Sequence, residues 1–129
     1  MLEIRSVSFT RPGGLSFSYD ITVAEGEILA VQGPSGVGKT TLLDLIAGFE
    51  YPDSGSISWN ESNFLASPPW ERPVTTVFQS DNLFTHLSCL ENVRIGLPSG
   101  QRDDHAAINA AFVQLGIDGL QNRLPDAIS

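Results

Sequence analysis

At 129 residues the chain has room for at most one small domain, and 41% hydrophobic content with 9% aromatics is enough to build a core. Fifteen acidic against seven basic side chains give a formal charge of −8, which argues against a nucleic-acid-binding role, since that calls for a basic face. Cys89 is the single cysteine, so neither an internal disulfide nor a cysteine-held zinc ion is available.

Residues 2–9 read as a strand whose apolar phase slips between Ile4 and Val7. Glu3 and Arg5 break up the apolar stretch that a signal peptide would need. Arg11-Pro12-Gly13-Gly14 reads as a turn. It is followed by Phe17, Tyr19, Ile21 and Val23 alternating with polar residues, a half-buried strand. The two strands predict an antiparallel layer. Residues 27–32 are apolar on both faces and predict a central parallel strand.

Next comes Gly33-Pro34-Ser35-Gly36-Val37-Gly38-Lys39-Thr40, which fits the phosphate-loop pattern of Gly, four free positions, Gly, Lys and Ser or Thr. Lys39 is the only lysine in the chain. Glycines 33, 36 and 38 allow a backbone nest that approaches phosphate oxygens with no Cβ in the way. Amides of about Gly36 to Thr41 would point inward, and the following helix adds its positive end. Lys39 would meet the β- and γ-phosphates, the Thr40 hydroxyl a Mg²⁺ ion, and Thr41 the α-phosphate. The chemistry is that of gripping a nucleoside triphosphate. A GTPase-type Asn-Lys-x-Asp motif is impossible with one lysine. The six arginines are scattered and form no set around a transferred phosphate.

Residues 40–47 predict a helix with Leu42, Leu43, Leu45 and Ile46 on a wide apolar face, stopped at Gly48 with Pro52 beyond. Residues 56–60 predict a short strand with Ile57 and Trp59 on one side, residues 61–73 a surface loop, and residues 74–78 another buried strand. Ser88 and Glu91 form a capping box that opens a helix to about Ile95. Residues 96–102 are linker, and residues 103–115 predict a helix with Ala107, Ala111, Phe112 and Leu115 inward. No run reaches the ~18 apolar residues of a membrane span, so membrane association is expected only through a partner protein. His86 and His105 lie in no metal-ligand pattern and read as surface or packing residues.

Three stretches together carry a resemblance: Gly33 to Gly48, Pro52-Asp53-Ser54-Gly55-Ser56-Ile57, and Arg72-Pro73-Val74 followed by Val77-Phe78-Gln79. The chain resembles the ATP-binding subunits of ABC transporters, specifically bacterial importers. It is most similar to the thiamine type, with the iron(III) and polyamine types behind it. The resemblance implies an α/β phosphate-loop NTPase fold of the ABC ATPase type. Its parts are an N-terminal antiparallel β layer, central parallel strands around the phosphate-loop helix, and the start of a helical subdomain. Residues 1–81 would hold the β layer and loop core, and residues 82–129 the Q-loop region and an incomplete helical subdomain. Together they would be the N-terminal part of one nucleotide-binding domain.

By the same resemblance Gln79 is the Q-loop glutamine, a further nucleotide-site group whose side-chain carbonyl meets Mg²⁺. The implied cofactors are ATP and Mg²⁺. The implied partners are a membrane-spanning permease and a second copy of the ATPase subunit, on the cytoplasmic face of the membrane. Leu83, Phe84 and Leu87 form an apolar cluster that, on residue pattern alone, suits either local core or a docking surface; the resemblance implies permease docking. The family's adenine-stacking aromatic aligns with Arg11, a departure that Phe9 or Phe17 would have to make good unless the guanidinium itself stacks. The family's signature motif, Walker B carboxylates and switch histidine are not among these residues, and Ile128 and Ser129 match the first two letters of the signature. No catalytic residue is therefore expected here. Taken alone, the chain is expected to bind nucleotide weakly at best without turning it over. The alternatives are a truncated non-catalytic nucleotide-binding protein and a soluble ABC-type ATPase of DNA repair or chromosome organisation. One cysteine, the acidic charge and the lack of heptads disfavour the latter.

Overall fold

β1 (Leu2–Thr10) and β2 (Ser16–Val23) form the expected antiparallel hairpin. Residues 1–80 and 82–128 are described by the computed structural model, in two units, Met1–Thr76 and Val77–Ser129. Asp81 and Ser129, the latter matched above to the second letter of the signature, lie outside the described residues.

The first unit is built on a four-stranded sheet in the order β2-β1-β3-β4, with β3 at Ser54–Trp59 and β4 at Ser62–Asn63. The phase slip in β1 is a bulge between Ile4 and Val7. Ser6 takes up a positive φ of 49° there, and its amide donates to Asp20 Oδ2 at 3.0 Å. The extra residue lets Ile4, Val7 and Phe9 all turn to the same buried side. They pack with Ile57, Phe64 and two residues of α1 (Lys39–Ala47), Leu42 and Leu45. Ile57 is buried as expected, while Trp59 stays on the rim. Leu43, expected on the apolar face of α1, is exposed. The sheet covers one side of a nine-residue helix and leaves Leu43 on the other.

Residues 61–73 are less of a surface loop than their polarity suggests. Asn60 and Glu61 both have positive φ, 46° and 68°, which closes a two-residue hairpin turn between β3 and β4. Phe64 and Arg72 are both buried.

Two strand expectations are corrected. Residues 27–32 and 74–78 are not strands, and the described sheet contains antiparallel pairs only. The central parallel strands implied around the phosphate-loop helix are thus not formed among the described residues. A parallel strand draws its backbone partners from neighbouring strands, and no described segment pairs with either stretch. Ile28 is 94% exposed in consequence.

The second unit contains α2 (Cys89–Gly96) and α3 (His105–Gln114). α2 opens with the predicted capping box: the Glu91 amide donates to Ser88 Oγ, and the Ser88 amide donates to Glu91 Oε2. α3 is shorter than predicted because Asp104 caps it, accepting from the Ala107 amide at 3.0 Å. Its inward residues are Ile108 and Phe112; Ala107, Ala111 and Leu115 are exposed. The correction has a simple cause: the unit is small, and the contact made by α3 is one narrow i, i+4 seam. An apolar cavity of about 340 Å³ borders Phe112, Cys89, Val93 and Leu83.

Candidate phosphate-binding site

The turn from residue 33 into α1 brings the motif residues together. Gly33, Gly36 and Gly38 have φ of 154°, 83° and 103°. Gly38 is the N-cap of α1, and its carbonyl accepts the first helical bond from the Leu42 amide at 2.9 Å. At Gly38 a Cβ would lie 2.5 Å from both Phe17 Cδ1 and the Tyr19 hydroxyl oxygen. The aromatic side of β2 is therefore pressed against the loop, and the Tyr19 hydroxyl donates to the Gly38 carbonyl at 2.8 Å. Burial raises the pKa of Tyr19, which keeps it a donor at neutral pH.

Lys39 Nζ donates to the carbonyls of Gly33 at 2.7 Å and Pro34 at 2.8 Å, so the ammonium is folded back over the loop. The amides of Gly36, Gly38, Lys39, Thr40 and Thr41 have no protein acceptor among the described residues. No acidic side chain occupies the first turn of α1. Unbonded amides, a helix start and an ammonium without a carboxylate suit an anion of phosphate type. The donor set fits the phosphates of a nucleotide, with the Lys39 charge and the amide nest as their holders. Thr40, the residue expected to meet Mg²⁺, is exposed. Among the described residues no cluster of His, Cys, Asp or Glu could hold a metal, so an ion here would depend on phosphate oxygens and neutral ligands.

Thr41 differs from the expectation. It is 1% exposed, and its Oγ1 accepts from Arg11 Nη2 at 2.7 Å. Pro34, Ser35 and Val37 line the exposed outside of the loop. Of the candidate base-stacking rings, Phe9 is committed to the core, and the Phe17 ring lies 5.9 Å from the Arg11 guanidinium.

Gln79 is exposed and belongs to the second unit, as do Leu83, Phe84 and Leu87. Leu83 and Phe84 are exposed and Leu87 is half-buried. Asn92 holds this stretch: its Oδ1 accepts from the Phe84 amide, and its Nδ2 donates to the carbonyls of Phe84, Leu87 and Ser88. Neither Asn92 nor the Arg11–Thr41 pair is visible in sequence, because both depend on residues eight to thirty positions apart meeting in space.

The ABC transporter family model matches residues 17–129. The chain belongs to the ABC transporter family. It is 41% identical, over its whole length, to the thiamine import ATP-binding protein ThiQ of Chelativorans sp. (strain BNC1) and covers 54% of that protein. It is 44% identical to ThiQ of Brucella suis biovar 1 over 91% of this chain and 50% of that one. The chain thus spans about half the length of the curated relatives it matches. Its fold matches that of MJ0796, described as a bacterial ABC transporter cassette. The TM-score is 0.76 at 24% identity, covering all of this chain and 63% of that one. A second structure of MJ0796, in a post-hydrolysis state bound to ADP and Pi, matches with a TM-score of 0.72 at 22% identity, again over all of this chain and 63% of that one. The α/β fold of the ABC ATPase type, expected from the sequence, is confirmed by these neighbours.

Proposed function

We propose that the chain binds Mg·ATP as part of the ATPase motor of an importer, with thiamine as the imported solute. The observation that carries this is the loop at 33–41. There, unbonded amides, the start of α1 and the Lys39 ammonium converge with no acidic side chain in the helix's first turn. Support for thiamine is the 41–44% identity to thiamine import ATP-binding proteins. In this reading Gly33 to Lys39 hold the β- and γ-phosphates, and Thr40 and Gln79 ligate Mg²⁺. The bound cation supplies charge neutralisation between the phosphates. A second copy of the subunit closes on the nucleotide. Leu83, Phe84 and Leu87 dock on a membrane-spanning permease, with the protein peripheral on the inner face of the membrane. No described helix is long and apolar enough to cross a membrane, which agrees with attachment through a partner. The 129 residues taken alone bind nucleotide weakly at best and do not turn it over, because they include no Walker B carboxylate to complete the metal site and polarise water.

Calorimetry with Mg·ATP on the full-length protein tests the reading. Binding is expected for the parent protein and a loss of at least about tenfold for Lys39→Ala. Equal binding by the two proteins would refute it.

A further inference from the structure

The geometry points to Arg11 as a second cationic phosphate ligand, at the nucleoside end of the phosphate chain; this rests on the nucleotide-binding reading above. Arg11 follows the last residue of β1 and is fixed at the main chain. Its amide donates to the Leu15 carbonyl at 2.9 Å, and its carbonyl accepts from the Gly14 amide at 3.0 Å. The side chain crosses from the hairpin to the first turn of α1, where Nη2 donates to Thr41 Oγ1. Thr41 is buried beneath it, so a phosphate approaching this side of the helix start meets the guanidinium before the threonine hydroxyl.

The charges near the loop point to the same group. Among the described residues Arg5 pairs with Glu3 and Arg94 with Asp103; Arg11, like Arg72, Arg102 and Arg123, has no carboxylate partner, and of these four it is Arg11 that bonds the first turn of α1. In a chain with fifteen acids and seven bases, two cations free of carboxylates, Lys39 and Arg11, therefore bear on the one helix start. A guanidinium has five N–H donors, and the bond to Thr41 uses one. Those remaining can take phosphate oxygens in the planar, bidentate manner that arginine favours. The Phe17 ring stiffens the side chain from one face. Arg11 stands where the family resemblance implies a base-stacking aromatic. Affinity in this protein is therefore drawn from phosphate charge more than from the base, and discrimination between adenine and guanine is weak.

The test is calorimetric titration of the full-length protein with Mg·ATP, Mg·GTP and magnesium tripolyphosphate, which has no base. Arg11→Gln is expected to weaken all three by about tenfold. Arg11→Lys, which keeps the charge but loses the planar fork, should fall between the parent and Arg11→Gln. Should the glutamine variant fail to fold, the parent's own affinities decide: comparable binding of ATP, GTP and tripolyphosphate supports the inference, and strong preference for ATP overturns it. Unchanged tripolyphosphate binding alongside weaker ATP binding would make Arg11 a base-stacking residue. No change with any ligand would make it a tie between hairpin and helix. Either result overturns the inference while leaving the nucleotide-binding reading intact. Within these titrations, a parent protein that binds none of the three would bring that reading down as well.

Discussion

Arg72 closes over Gly48 at the end of α1: a Cβ on the glycine would lie 2.5 Å from the arginine Nε. The guanidinium is buried and donates to four carbonyls. Nη1 reaches Leu45 at 2.7 Å and Ile46 at 3.0 Å, Nη2 reaches Leu65 at 2.9 Å, and Nε reaches Ser67 at 2.9 Å. It thereby satisfies carbonyls that the end of a helix leaves unpaired and places a cation at the negative end of the dipole. The Phe64 ring, 5.6 Å away, packs on it. Burial lowers the pKa of Arg72, yet a guanidinium remains charged at neutral pH. Arg72→Met is expected to lower unfolding stability by about 2–3 kcal/mol, because buried acceptors lose their donor. Gly48→Ala, at φ 90°, should cost at least the ~1–2 kcal/mol of a left-handed non-glycine residue, since the arginine must also move. Urea titration of the full-length variants measures both, and a loss below about 0.5 kcal/mol for Arg72→Met would show that the cap contributes little.

Two loop glycines separate backbone strain from close approach. Gly36 has φ 83° with open space where a Cβ would stand; Gly38 has φ 103° and the Phe17 and Tyr19 side chains at 2.5 Å. Gly36→Ala should cost the ~1–2 kcal/mol of left-handed strain, and Gly38→Ala clearly more. Nucleotide affinity should fall in the same order, because displacing Tyr19 frees the Gly38 carbonyl. Equal stability and affinity of the two variants would mean that the β2 rings do not brace the loop.

The capping box of α2 is pH-sensitive. Ser88 Oγ donates to Glu91 Oε2 at 2.7 Å and the Ser88 amide to the same oxygen at 2.8 Å. These bonds, the hydroxyl's first, hold the Glu91 carboxyl below its ordinary 4.5. A depressed folded-state pKa means that the stabilisation is complete above the ordinary value. It fades as pH falls through the lower folded one. Protection factors for amides at the start of α2 should therefore drop as pH falls below the ordinary 4.5, and the drop should be absent in Glu91→Gln. A flat parent profile would contradict the assignment.

Asn92 is the strut of the candidate permease-docking stretch. Asn92→Ala removes four side-chain bonds to residues 84–88. Phe84→Asp leaves that network in place and changes only an exposed ring. Both substitutions should reduce copurification with the permease. Only Asn92→Ala should also raise hydrogen exchange in residues 84–88. Undiminished copurification of Phe84→Asp would remove Phe84 from the docking surface.

The apolar run around Ile28 is expected to make the isolated 129 residues prone to self-association, since unpaired apolar segments recruit other chains. Ile28→Lys should raise the concentration at which light scattering begins. No difference between the two would place the self-association elsewhere.

Much of the fold and site is local chemistry and can be read without coordinates. The bulge between Ile4 and Val7 shows as a slip in alternation. The box at Ser88 and Glu91 shows as a spacing, and the loop at 33–40 as a pattern of glycines around one lysine. The turn at Asn60 and Glu61 is not legible in sequence because the second position carries glutamate where such turns favour glycine. Burial of Phe64 is not legible because the stretch around it is short, proline-bearing and without helical or strand periodicity.

Each feature that the sequence determined is a property of a few adjacent residues: backbone freedom at glycine, hydroxyl-to-amide reach, or alternation of faces. Tertiary structure decided what requires two distant segments to meet. It gave residues 27–32 and 74–78 no strand partner, sank Thr41 beneath Arg11, and turned Arg72 from a charged loop residue into the cap of α1. The physical reason is the same in every case. A donor, a strand edge or a cation is written into one stretch of chain, but the group that satisfies it lies in another.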